Sequence, residues 1–199
     1  SGTAGIRDFR GDCIRNFEAN GFVYHSEVCI WIDPVLEMQK TKTQRLLYKQ
    51  LRQDASYTGI GLPEYLLLFR KWQGIDPDTH VPVMHMPEEF PLEQWQQWAS
   101  PVWMDIDRTN VLNERIARDN EDEKHICPLQ LDVIHRAIIL WTNPGELVFS
   151  PFAGIGSEGY VSLKEGRRFL GIELKPTYFD HAVKNLDSVL ESKKQASLF

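Results

Sequence analysis

The residues with the clearest chemical potential run from Glu146 to Gly159, followed by Glu173. Glu146 to Ser150 reads as a buried strand. Pro151-Phe152-Ala153-Gly154-Ile155-Gly156 then forms a tight loop, and a helix opens near Ser157. Gly154, Gly156 and Gly159 give the spacing Gly-x-Gly-x-x-Gly, and Phe169 to Glu173 is a second short apolar run closed by a carboxylate. Strand, glycine loop, helix, strand and acid are the parts of a nucleotide-binding βαβ unit. Glycine allows a sharp turn and a close approach of backbone to ligand. The helix start offers unpaired N–H groups. The carboxylate of Glu173 can accept hydrogen bonds from both hydroxyls of a ribose.

Two adenosine-bearing ligands fit this spacing, a dinucleotide such as NAD and S-adenosylmethionine. A dinucleotide fingerprint usually places its glycines directly after the strand, and here Pro151-Phe152-Ala153 intervenes. Only 26 residues follow Glu173 in a chain of 199, too few for the further βαβ units of a dinucleotide domain. A glycine turn that merely joins strand to helix is the plain alternative.

Ser150-Pro151-Phe152-Ala153-Gly154-Ile155-Gly156-Ser157, with Gly166-Arg167-Arg168-Phe169-Leu170-Gly171-Ile172-Glu173 and Tyr178, resembles the cofactor motif of amino-group DNA methyltransferases. The circularly permuted, beta-like order, with this loop late in the chain, is the most similar. The resemblance implies an α/β fold, a partial Rossmann-like S-adenosylmethionine-dependent methyltransferase with an irregular insertion. It implies methylation of adenine N6 or cytosine N4 in double-stranded DNA. Pro151, Phe152, Ala153, Gly154 and Gly156 would border S-adenosyl-L-methionine, and Glu173 would bind its ribose. Direct transfer from the sulfonium calls for no metal. The family usually has Asp where this chain has Ser150, and Thr where it has Glu158.

Composition is compatible with an α/β domain carrying a substantial core: 42% of residues are hydrophobic and the formal net charge is −6. That charge argues against a wholly basic nucleic-acid coat, although an enzyme can concentrate positive charge on one face. No apolar run approaches membrane-spanning length. Cys13, Cys29 and Cys127 show no metal-ligand spacing and read as reduced thiols of a cytoplasmic protein. His125-x-Cys127 lacks the second pair that a zinc site needs.

Further elements follow in order. Asp8 to Asn20 reads as a helix and Phe22 to Ile32 as a strand. Leu36 to Gln53 reads as one helix, with Leu46, Leu47 and Leu51 toward the core. Lys42, Arg45, Lys49 and Arg52 share its other face, either as a DNA phosphate stripe or as an ordinary solvated surface. Pro63 to Lys71 is a continuous apolar run, which implies an interior strand. Prolines and tryptophans then crowd Trp72 to Lys124, the place of the family's target-recognition region. Trp95 and Trp98 read as buried cap residues, and Ser100 to Trp103 as a docking loop. A helix with Pro128 in its first turn runs to about Trp141, with Leu129 on its apolar side. His125, Pro128 and Gln130 resemble, loosely, the family stretch that lines the methionine end of the cofactor; a capped core helix is the alternative. A final helix spans about Pro176 to Glu191, and a frayed tail follows. The parts divide as residues 1–72, late strands and helices of the methyltransferase sheet; 73–124, the insertion; and 125–199, the cofactor-binding βαβ part.

The family holds the target amine with an Asp/Asn/Ser-Pro-Pro-aromatic loop. Asp33-Pro34-Val35, Ser100-Pro101-Val102 and Ser150-Pro151-Phe152 each carry a single proline, so no catalytic residue is assigned. The sequence is therefore expected to be the C-terminal part of a restriction–modification or phage methyltransferase, inactive alone. A missing N-terminal half or a second chain would supply the catalytic loop. A catalytically silent adenosine-binding module that contributes DNA recognition to a larger assembly is the alternative, and a nicotinamide-dependent oxidoreductase is a weaker one.

Overall fold

The structure, a computed structural model, describes residues 6–41, 46–71, 81–112 and 128–196. It divides into two compact units, residues 1–81 with 91–105, and residues 82–90 with 106–199.

The first unit is built on an antiparallel pair. β1 (Val23–Ile30) runs against β2 (Glu64–Arg70), from Val23 opposite Arg70 to Ile30 opposite Glu64, with an irregularity between Tyr24 and Ser26. α1 (Phe9–Ala19) begins where the Asp8 carboxylate accepts the Gly11 amide at 2.9 Å. Phe17 of this helix stacks on Phe69 of β2, with ring centres 4.5 Å apart. Arg10 grips the Glu27 carboxylate of β1 through two nitrogens, one at 2.7 Å. Burial pushes the Glu27 carboxyl up, but hydrogen bonds from Arg10 and Tyr24 outweigh that and hold it below the usual range.

Several expectations for this unit are corrected. The single helix over Leu36–Gln53 is two pieces, α2 (Pro34–Thr41) and α3 (Tyr48–Gln53), because Leu47 is extended at φ −73°, ψ 130°. α2 starts at Pro34, where the fixed ring suits a first turn and Asp33 accepts the amides of Val35 and Leu36. No glycine or proline marks the break before α3. Leu47 and Leu51 are consequently exposed, and only Leu46 is half-buried. β2 is not interior: the sheet order is β2-β1-β3, so it is an edge strand among the described residues. Its apolar run therefore leaves one row of backbone groups without a strand partner.

Among its described residues the proline-rich stretch holds short elements, α4 (Leu92–Trp98) and the two-residue β3 (Val102–Trp103). β3 lies parallel to β1, so the expected docking loop is in part a strand of this sheet. Trp103 is buried, and its indole donates to the Trp98 carbonyl at 2.9 Å. Trp98 is buried as expected, whereas Trp95 is half exposed because it lies on the outer side of a two-turn helix.

The second unit contains α5 (Leu131–Trp141), β4 (Leu147–Ser150), α6 (Ser157–Lys164), β5 (Arg168–Gly171) and α7 (Pro176–Ala196). β4 and β5 are parallel and in register from Leu147 opposite Arg168 to Ser150 opposite Gly171. α6 is the crossover. Ile134 and Ile138 of α5 pack against Val161 of α6, with Val148 of β4 beside them. α5 starts at Leu131, not at Pro128: Gln130 is its cap residue in extended conformation, and Leu129 lies outside the helix, largely exposed. α7 continues past Glu191 to Ala196. It buries only Ala182 and Val189, so its long apolar stripe is half covered. Among the described residues no helix is long and apolar enough to cross a membrane.

Candidate functional site

Parallel strands leave their carboxyl ends free for ligands. At that end of β4 the chain turns through Pro151 to Gly156 and is tied to β5. Ile172 donates its amide to the Ser150 carbonyl, and Ala153 donates to the Ile172 carbonyl, both at 2.9 Å. These bonds carry the ladder one step past the strands and fix where the loop leaves the sheet.

Each glycine has its own reason. Gly154 sits at φ +53°, and a Cβ there would meet nothing within 4 Å, so this stretch of backbone faces open space. Gly156, at φ +85°, is the cap residue of α6, which has no side-chain cap. A Cβ at Gly156 would lie 2.8 Å from Leu186 and 3.1 Å from the Ala182 Cβ of α7. At Gly159 it would meet the Phe169 ring of β5 at 2.6 Å. The first glycine opens the loop, the second lets α7 approach, and the third lets α6 lie on β5. Asn185 of α7 also donates to the Ile155 carbonyl at 2.8 Å, which anchors the middle of the loop.

Glu173 turns toward this loop. One carboxylate oxygen accepts the Gly154 amide at 2.9 Å, and the other accepts the Lys175 amide at 2.8 Å. The carboxylate thus borders the open side of Gly154, with lone pairs left over for a ligand. Phe152 and Leu174 project beside it, 85% and 93% exposed. Lys175 lies over the Tyr178 ring at 4.1 Å.

The site residues read from sequence are distributed as follows. Pro151, Phe152, Ala153, Gly154, Gly156 and Glu173 come together at this one place. Pro128 and Gln130 precede α5, whose first residue, Leu131, packs near Ile155 of the loop. Gln130 is 6% exposed, and its side-chain oxygen has no hydrogen-bond partner among the described residues. His125 lies outside the described residues, as do Lys42 and Arg45. Lys49 and Arg52 are exposed on α3 of the other unit. The break at Leu47 removes the continuous helix face that was to join all four cations.

Sequence reading missed Asn185, because one amide on a long helix carries no spacing signal. It also passed over Leu174, although an apolar residue directly after the acid was visible. No group of three or more metal-ligating side chains occurs among the described residues.

An open glycine loop and a carboxylate thus meet at the carboxyl ends of two parallel strands. The sequence model of the DNA methylase family, N6_N4_Mtase, matches residues 11–184, and the chain belongs to that family. It is 40% identical over 62 residues to the type II methyltransferase M.Cfr9I of Citrobacter freundii, covering 31% of this chain and 21% of that one. It is 35% identical over 68 residues to the DNA adenine methyltransferase YhdJ of Escherichia coli K12, covering 34% and 23%. With M.BglI of Bacillus subtilis, a type II methyltransferase, identity is 34% over 106 residues, covering 53% and 28%. The fold is shared with TTHA0409 of Thermus thermophilus, named as a DNA modification methylase, at TM-score 0.63 and 21% identity, covering 93% of this chain and 62% of that one. TTHA0409 has also been solved in complex with S-adenosyl-L-methionine. The matches therefore span about a quarter of these curated relatives and three fifths of TTHA0409.

Proposed function

We propose that this chain is the cofactor-binding part of a DNA amino-methyltransferase of the permuted order, acting with S-adenosyl-L-methionine on adenine N6 or cytosine N4. The observation that carries this is the Glu173 carboxylate held against the Gly154 amide, beside backbone that faces open space. Such a cradle suits an adenosyl group. The carboxylate accepts from the ribose hydroxyls, the Pro151–Gly156 backbone lies along the ligand, and Phe152 and Leu174 supply apolar walls. Pro128, Gln130 and His125 would serve the methionine end.

When bound, the cofactor supplies an activated methyl group on a sulfonium. The chain's own part is to bind and orient it and to exclude water from one side. The Asp/Asn/Ser-Pro-Pro-aromatic loop that would hold the target amine does not occur in the sequence. We therefore assign that loop to polypeptide outside these residues and expect no methyl transfer by this chain alone. Residues 1–72, 73–124 and 125–199 remain the proposed functional division, with the middle part facing DNA. Lys49 and Arg52 are the proposed phosphate contacts on α3; replacing either should lower the salt slope of DNA binding by about one. The absence of the Pro-Pro loop also favours the alternative of a silent recognition module, until a partner chain carrying that loop is found.

The test is a melting experiment with S-adenosylhomocysteine and NAD. At one hundred times its dissociation constant the first should stabilise the chain by about 2.7 kcal/mol. NAD should leave the melting temperature unchanged. A shift with NAD and none with S-adenosylhomocysteine would sink the assignment.

A further inference from the structure

In the first unit, between α3 and β2, the chain makes one 3-10 turn, Ala55–Tyr57, and then a short loop through Gly59-Ile60-Gly61-Leu62. Both sides of this loop are held. On the α3 side Asp54 accepts the Ser56 amide at 3.0 Å and the Ser56 hydroxyl at 2.6 Å, and Thr58 donates back to the Ala55 carbonyl at 3.1 Å. On the β2 side the chain lies against α2. A Cβ at Gly61 would stand 3.1 Å from the Glu37 carboxylate, which the Leu62 amide also meets at 3.5 Å. Gly59 and Gly61 are half-buried, and Ile60 between them is 89% exposed. The loop thus turns its two bare positions inward and one bulky apolar apex outward.

A single exposed isoleucine is ordinary. Its surroundings point to a partner. Tyr48 and Tyr57 are largely exposed, and so are Lys49 and Arg52 of α3. Five of the 22 basic residues fall between Lys40 and Gln53 with no acid among them, in a chain whose net charge is −6. Asp54 is the sole acid from Leu46 to Pro63, and Ser56 takes up its carboxylate. A protein partner gains little from a stretch of like charge, since charged groups are depleted where interfaces are buried. Duplex DNA gains from it, because each phosphate neutralised releases a counterion.

We propose that Ile60 is a wedge: the loop apex enters the step between two base pairs of duplex DNA while the basic flank rests on phosphates. This rests on the proposed action on DNA and adds the part that opens the stack. Apolar side chains that enter a base step unstack it and occupy the gap, and a base must leave the stack before its amine can be reached. A loop held at both sides presents such a side chain without first having to order itself. No bond is made or broken.

The experiment follows binding to two labelled duplexes by fluorescence anisotropy, one fully paired and one with a single mismatched pair. A mismatch reduces the work of unstacking. Wild type should therefore bind the mismatched duplex at least tenfold more tightly, and 2-aminopurine beside the mismatch should brighten on binding. Ile60→Ala should lose the preference and the brightening, keep the salt slope on paired DNA, and melt with wild type. Ile60→Leu, equally bulky, should keep both signals. If wild type binds paired DNA without preferring the mismatch, the wedge is overturned and the DNA reading stands. If Ile60→Ala binds both duplexes as wild type does, the apex is left as a contact for other polypeptide, and the wedge is overturned. A lowered melting temperature of Ile60→Ala overturns it as well, because Ile60 would then belong to the packing of the loop. If wild type binds neither duplex, the DNA reading falls, and the wedge with it.

Discussion

At the scale of the residue, two carboxylates of the second unit are held in opposite ways. Glu173 accepts two backbone amides, from Gly154 and Lys175. Glu158, among the described residues, accepts only its own backbone N–H. Under the proposed function, removing Glu173 costs twice: the ligand loses its sugar contact and two amides lose their acceptor. Glu173→Ala should lower stability by about 1–3 kcal/mol and abolish measurable S-adenosylhomocysteine binding. Glu173→Gln keeps one acceptor oxygen and should retain more of the stability than of the binding. Denaturant melts with parallel titrations separate the two losses. Glu158 makes the opposite prediction with pH. Its folded-state pKa is raised, so its contribution is fully favourable below the unfolded pKa and is lost as pH climbs through the folded one. Ligand-free wild type should lose stability across that rise, and Glu158→Gln should not. Identical pH profiles would show that the carboxylate is solvated after all.

At the scale of the element, the glycine spacing was legible because each glycine answers a steric demand that no other residue meets. Gly159 is the clearest case, since its missing Cβ is the room taken by the Phe169 ring. Gly159→Ala should cost about 1–3 kcal/mol by overpacking, and Gly159→Ala with Phe169→Leu should recover part of it in a melting series. Arg167 was not legible. It entered the reading only as part of the Gly166–Glu173 motif, with no role of its own, yet it is buried and caps two helices at once. Its guanidinium donates to the Thr142 hydroxyl at 3.0 Å, the Thr142 carbonyl at 2.6 Å and the Glu165 carbonyl at 2.7 Å. Carbonyls at helix ends carry partial negative charge, so a cation suits them without a carboxylate. Arg167→Ala should destabilise by about 2–3 kcal/mol, whereas Arg168→Ala, whose side chain is exposed, should cost well under 1 kcal/mol. The helix over Leu36–Gln53 failed for a related reason. Its apolar residues kept helical spacing, but Leu47 and Leu51 find no surface to cover, and spacing alone does not hold a helix together.

At the scale of the whole molecule, strand order was the part that sequence did not yield. A continuous apolar run such as Tyr65 to Phe69 says that both faces of a strand want cover; it does not say what supplies the cover. The same question arises at β4 and β5. One face, with Val148 and Phe169, packs on the helices, while Leu147, Phe149, Leu170 and Ile172 on the other are half exposed. Alternation along parallel strands puts these four on one apolar surface, and a parallel sheet is ordinarily covered on both sides. If the catalytic loop comes from other polypeptide, that polypeptide is expected to cover this face too. Adding a chain that carries a Pro-Pro-aromatic loop should then restore methyl transfer to DNA. Leu170→Asp should abolish that restoration while S-adenosylhomocysteine binding by the isolated chain stays within about twofold of wild type, because the side chain points away from the helices that shape the loop. Transfer by the unassisted chain, or restoration unaffected by Leu170→Asp, would show that the exposed face has no part in completing the enzyme.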